Sequence, residues 1–120
     1  MNDASDREAV AAAAADYVEG WYCGDVERMD RALHPELVKR IPEPADGSGS
    51  LRAVTKDRMI ELTRSGGGED PDATFEVSVD EISGGIAAAR VVSPEYVDFL
   101  HLVKTDDGWQ IANVLFRNRA

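Results

Sequence analysis

Residues 97–116 alternate in polarity around Asp106-Asp107-Gly108, and no other feature restricts the fold as much. Alternating segments joined by Asp-Gly form a β-hairpin. An isolated hairpin is marginal in water, so this one must close a larger sheet against helices. Two registers are open. Either Asp106 or Lys104 lies opposite Trp109, and both give the same parity. One face then carries Asp98, Leu100, Leu102, Trp109, Ile111, Asn113 and Leu115. The other carries Phe99, His101, Val103, Gln110, Ala112, Val114 and Phe116. The first face is apolar except for Asp98 and Asn113, so it is the one expected to meet helices. The second is too apolar for a solvated surface. A second copy of the chain is its simplest cover, which predicts a homodimer through Phe99, His101, Val103, Val114 and Phe116.

The rest of the chain supplies the helices and further strands. Residues 5–23 carry Val10, Ala13, Ala14, Tyr17, Val18 and Trp21 on one helical stripe. Ser5 with Glu8 has capping-box spacing, and Gly24 is the stop. Tyr22 falls off the stripe, which puts it at a pocket mouth or the surface. Asp25 can cap a short second helix ending near Leu33. Residues 36–41 form a short extended or turn-like piece. The Pro/Gly/Ser-rich residues 42–50 tip a hairpin whose far strand is 51–54. Thr55 caps a third helix over 56–64. From Phe75 the period becomes two, with strands at 75–80, 86–92, 95–104 and 109–117. Helices followed by a meander predict an α+β layer, a bent sheet with helices on one face.

Composition excludes several function classes. The 120 residues carry a net charge of −10 and a length suited to one domain, 1–120. Nucleic acid and anionic membrane both require basic patches, so neither is an expected partner. The single Cys23 precludes an internal disulfide and fits a reducing compartment. The first residues show no basic start followed by an apolar stretch, which predicts a cytoplasmic protein. The Ala, Gly, Arg and Asp bias points to a GC-rich bacterium. His34, His101 and Cys23 lack the spacing of metal ligands, so no metal is expected. No phosphate-binding glycine loop or nucleophile elbow is present, and no cofactor is expected.

Four segments together resemble a known superfamily. They are Tyr17-Val18-Glu19-Gly20-Trp21-Tyr22-Cys23-Gly24-Asp25, Leu33-His34-Pro35, Tyr96-Val97-Asp98-Phe99-Leu100-His101-Leu102-Val103-Lys104 and Gly108-Trp109-Gln110-Ile111-Ala112-Asn113. Their order and spacing are similar to the nuclear transport factor 2-like superfamily. More narrowly, they resemble its SnoaL-like bacterial branch described as "putative lumazine-binding". The resemblance implies a cone-shaped, strongly bent antiparallel sheet on N-terminal helices, enclosing a pocket and usually dimeric. It does not imply one activity, because the superfamily holds cyclases, ketosteroid isomerases, dehydratases and non-catalytic modules.

Candidate site residues follow from the faces. Asp98 in an apolar pocket could shuttle a proton, or it pairs with Arg117 or Arg90 as a structural ion. His34 is an acid–base group at the pocket mouth, or else it caps the preceding helix or bonds a loop carbonyl. Asn113 either orients a ligand or satisfies Asp98. Arg90 is an anion anchor or the partner of Asp98. Tyr17, Trp21, Met59 and Trp109 line a pocket for a flat ring or simply fill the core. Three functions compete: a small-molecule-binding protein with an apolar pocket, a lyase, isomerase or cyclase using Asp98 or His34, and a pocketless dimeric module.

Overall fold

In the computed structural model, which describes residues 3–43, 49–66, 68 and 70–119, the closing hairpin is β5 (Tyr96–Thr105) and β6 (Gly108–Asn118). Lys104 lies opposite Trp109 and Thr105 opposite Gly108, leaving Asp106-Asp107 as a two-residue loop. Gly108 has φ of 103°, a backbone state that a side chain would strain. Asp107 N–H donates to Thr105 Oγ1 at 3.1 Å and closes the turn.

The ladder then breaks. His101 faces Asn113 but Leu102 faces Ile111, so Ala112 is an extra residue on β6. A bulge of this kind resets the alternation of everything beyond it. Trp109 and Ile111 point inward as expected. Past Ala112, Val114 and Phe116 also point inward, while Asn113 and Leu115 face out. Val114 is 2% exposed and Leu115 47%. The faces expected for Asn113, Val114, Leu115 and Phe116 are therefore reversed, because simple parity presumes a ladder without a bulge.

The hairpin sits inside a six-stranded sheet of order β2-β1-β6-β5-β4-β3. The other strands are β1 (Leu33–Pro42), β2 (Leu51–Thr55), β3 (Glu76–Ser83) and β4 (Ile86–Val92). Neighbours are antiparallel except β1 and β6, which run parallel. The sheet is thus mixed rather than wholly antiparallel. The chain enters β1 directly from a helix, beside its last strand and in the same direction. Two more register breaks lie between Val79 and Glu81 and between Leu33 and Val38. Such breaks bend a sheet, and this one curves around its helices as expected.

Helix α1 (Asp3–Cys23) packs across the concave face and buries Val10, Ala14, Tyr17 and Val18 against Leu100, Leu102 and Ile111. Full burial of Val10, Val18, Leu100, Leu102 or Ile111 contributes roughly 1.5–3 kcal/mol each. The helix begins before Ser5, so Ser5 lies in its first turn and is not its cap. Asp6 fixes that end instead. Its Oδ1 accepts from Trp109 Nε1 at 3.2 Å and from Lys104 Nζ at 2.9 Å, tying α1 to the hairpin. Tyr22 is buried in the cavity wall rather than at the surface, and its hydroxyl donates to Ser93 Oγ at 3.2 Å.

Asp25 caps α2 (Val26–Ala32), accepting from Arg28 N–H at 3.1 Å. Thr55 does the same for α3 (Lys56–Gly66), accepting from Arg58 N–H at 3.3 Å. The extended piece expected at 36–41 is the heart of β1. The loop expected over 42–50 leaves β1 at Pro42, which faces Leu51, and its tip at 44–48 lies outside the described residues. Among the described residues no helix is long and apolar enough to cross a membrane.

Candidate functional site

The open end of the curved sheet leaves a cavity of about 270 Å³ between α1, α3 and the strands. Each element contributes for a local reason. Tyr17 and Trp21 are one helical turn apart on α1, and Tyr22 closes the wall beside them. Met59 and Leu62 come from the inner side of α3. On β5, Tyr96 and Asp98 share the inward parity of Leu100 and Leu102. On β6, the bulge aims Phe116 and Asn118 inward. Lys39 and Ile41 belong to β1, with Arg52 and Val54 on β2.

The polar centre is a directed chain of hydrogen bonds. Lys39 Nζ donates to the Tyr17 hydroxyl at 2.7 Å, and Tyr17 donates to Asp98 Oδ1 at 3.0 Å. Register explains the meeting: Lys39 lies beside Val114 and Asp98 beside Phe116, two positions apart on β6. The ammonium also lies 4.4 Å from the Phe116 ring centre and 5.0 Å from that of Tyr17. Both are cation–π distances.

Burial dominates the electrostatics. It pushes the Asp98 carboxyl above its usual range, against the opposing pull of Lys39 and the Tyr17 hydrogen bond. It lowers Lys39 to about 8, with the Asp98 charge working the other way. Tyr17 is pushed well above an ordinary phenol by burial and then by Asp98. Burial therefore disfavours the charged form at both ends of the chain, while the Lys39–Asp98 attraction works against it. The site can donate hydrogen bonds to a ligand oxygen and can move a proton between Lys39 and Asp98.

The expected residues divide. Tyr17, Trp21, Met59 and Asp98 meet at the cavity. His34, Arg90 and Asn113 do not. His34 Nδ1 accepts from Glu36 N–H at 3.0 Å, a local turn at the start of β1. Arg90 is on the outer face, where it pairs with Asp80 at 3.2 Å. Asn113 is exposed on that face opposite His101. Neither Arg90 nor Arg117 partners Asp98; Arg117 lies opposite Val97 and faces out. Trp109 is buried at the far end of the helix, on Asp6.

Sequence reasoning missed Lys39, Arg52, Tyr96 and Phe116. A signal for Lys39 existed: it shares strand parity with Leu37 and Ile41, both buried. A lysine between two inward aliphatics on one strand is a candidate for an inward amine. For Phe116 the misleading element was the bulge.

Several comparisons bear on this architecture. Residues 5–117 match the model of the family described as "Putative lumazine-binding". Among curated proteins there is no match. Solved structures match over nearly the whole chain. An NTF2-like protein of unknown function from Silicibacter pomeroyi has a TM-score of 0.85 at 20% identity, covering 99% of this chain and 100% of that one. One from Shewanella baltica, also of unknown function, has a TM-score of 0.85 at 15% identity, with 100% and 98% covered. A "putative dehydratase from the NTF2-like family" of Streptomyces avermitilis has a TM-score of 0.65 at 15% identity, with 96% and 97% covered. At these identities the structural likeness establishes the fold alone.

Proposed function

This chain belongs to that family, within the nuclear transport factor 2-like superfamily, and we propose that it binds a small flat organic molecule in the cone. One observation carries the reading: the Lys39–Tyr17–Asp98 chain opens into a cavity walled mainly by aromatic and aliphatic side chains, with Arg52, Ser93 and Asn118 as its other polar members. Apolar walls with a few convergent polar groups are the usual composition of a ligand site. Trp21, Tyr96 and Phe116 offer faces for a ring. The Lys39 ammonium suits a ring carbonyl or another electron-rich oxygen.

Thermal shift with lumazine, flavins and steroids tests this. A ligand present at a hundred times its Kd stabilises by about 2.7 kcal/mol. The shift should vanish in Met59→Trp, which fills the cavity. Absence of any shift across flat carbonyl-bearing ligands, or shifts unchanged in Met59→Trp, would sink the reading.

A second reading has support in the buried Asp98: proton-transfer chemistry of the lyase, isomerase or cyclase kind, with Asp98 as base and Tyr17 as hydrogen-bond donor. His34 has no part in it, because its ring is engaged in a local turn away from the cavity. Any turnover found should be abolished in Asp98→Asn.

The proposal includes a partner, a second copy across the outer sheet face. Phe99 is 54% and Ile86 63% exposed there, with Leu115 opposite Phe99. Val114 and Phe116 leave the expected interface, while Phe99, His101 and Val103 stay on it. Leu115→Glu should shift sedimentation from dimer to monomer. A wild-type monomer at micromolar concentration would remove the interface.

A further inference from the structure

Lysine is present at three positions, and their surroundings differ in kind. Lys56 pairs with Asp30 at 3.2 Å and also donates to the Leu33 carbonyl. Lys104 pairs with Asp6 at 2.9 Å. Both are paired with a carboxylate. Lys39 instead donates to a neutral phenol at 2.7 Å, between two aromatic rings and at the wall of a cavity. Its partner then donates to a buried carboxyl. The hydrogen bonds all point one way, from amine to acid.

We propose that Lys39 is a nucleophilic amine that forms an imine with an aldehyde or ketone bound in the cavity, its proton relayed through Tyr17 to Asp98. The inference rests on the reading of the cavity as a small-molecule site, and it names the reactive class that site accepts.

The steps balance. The Lys39 ammonium passes a proton to the Tyr17 oxygen as Tyr17 passes its own to Asp98 Oδ1. This leaves a neutral amine, an intact phenol and a carboxylic acid. The amine lone pair forms a C–N bond as the carbonyl π pair moves to oxygen. The adduct nitrogen gives one of its protons to the new alkoxide, which leaves the neutral carbinolamine. The proton held on Asp98 returns through Tyr17 to the carbinolamine hydroxyl, which departs as water while the nitrogen lone pair forms C=N, leaving a protonated imine and the Asp98 carboxylate. The sum is Lys39 ammonium plus carbonyl giving protonated imine plus water, with no oxidant or reductant.

The charged neighbours support it. Asp98 on β5 and Arg52 on β2 are the ionised groups that act on Lys39, with opposite signs, and burial exceeds both. Its neutral fraction near pH 7 is then on the order of a hundred-fold above that of an ordinary lysine, given about 8 against 10.5. Desolvation of this kind is a known route to amine nucleophiles.

The test uses the whole chain, benzaldehyde and cyanoborohydride at pH 7.5, with peptide mapping by mass spectrometry. The expected result is a benzyl adduct on Lys39 at least ten-fold above Lys56 and Lys104. In Tyr17→Phe, whose proton wire is cut, the initial rate should fall by about a hundred-fold or more, the range of positioned acid–base catalysis. Equal labelling of the three lysines overturns the proposal, and the wild-type map alone decides this even if variants fold poorly. Lys39→Met, mapped in parallel, should lose only that adduct. Thermal shift with benzyl alcohol, which cannot form an imine, separates the two failures. A shift without selective labelling refutes the amine and keeps the site. Neither a shift nor selective labelling refutes both.

Discussion

Replacing Lys39 by methionine removes a charge from the cavity while keeping an unbranched side chain. Its effect on stability follows from the lowered folded-state pKa. A fall from 10.5 to about 8 corresponds to about 3 kcal/mol against the charged form in the folded state. Below pH 8 both the folded and unfolded chains carry the charge, so the folded protein bears the full penalty. As pH rises from 8 to 10.5 the folded state releases its proton first, and wild-type stability rises. Above 10.5 the penalty is gone. About 2 kcal/mol of it is recovered between pH 7 and pH 9.5. The rings of Phe116 and Tyr17 favour the ammonium and offset about 1 kcal/mol. Urea unfolding of both proteins should therefore favour Lys39→Met by about 1–2 kcal/mol more at pH 7 than at pH 9.5. In an Asp98→Asn background this change should be larger, since the Asp98 charge is what holds Lys39 up. A difference between the two proteins that is constant with pH would refute the reasoning, because Lys39 would then titrate like a solvated lysine.

Further outcomes follow from other contacts. Tyr17→Phe removes the hydroxyl shared by Lys39 and Asp98 and should destabilise by about 1–3 kcal/mol in urea unfolding. Val114→Asp should abolish the cooperative thermal transition, whereas Leu115→Asp should leave the protomer folded with a change of about 0.5 kcal/mol; the reverse order would disprove the bulge at Ala112. The Asp6 carboxyl is held below its usual 3.8, first by Lys104 and then by Trp109. Its contribution is present above pH 3.8 and disappears as the pH falls through the folded value. Asp6→Asn should thus flatten the acid side of the thermal stability profile, and an unchanged acid limb would contradict this.

What the sequence determined was local. The Asp-Gly turn set the hairpin, Asp25 and Thr55 set two helix starts, and the helical stripe carried Tyr17 to the interior. Asp98 was readable as an inward carboxylate because it shares parity with Leu100 and Leu102, on the side of the ladder that has no insertion. The partner of Asp98 was not readable. Lys39 reaches it only because β1 pairs parallel with β6, a contact between residues more than seventy positions apart. Phe116 joins them only because Ala112 adds a residue to one strand. No local propensity distinguishes a bulged from a regular strand over Ile111-Ala112-Asn113. The choice depends on how the whole sheet bends over α1, and that is a property of packing. The hairpin was legible from alternation; which side of its second strand faces the cavity was decided by the curvature it had to follow.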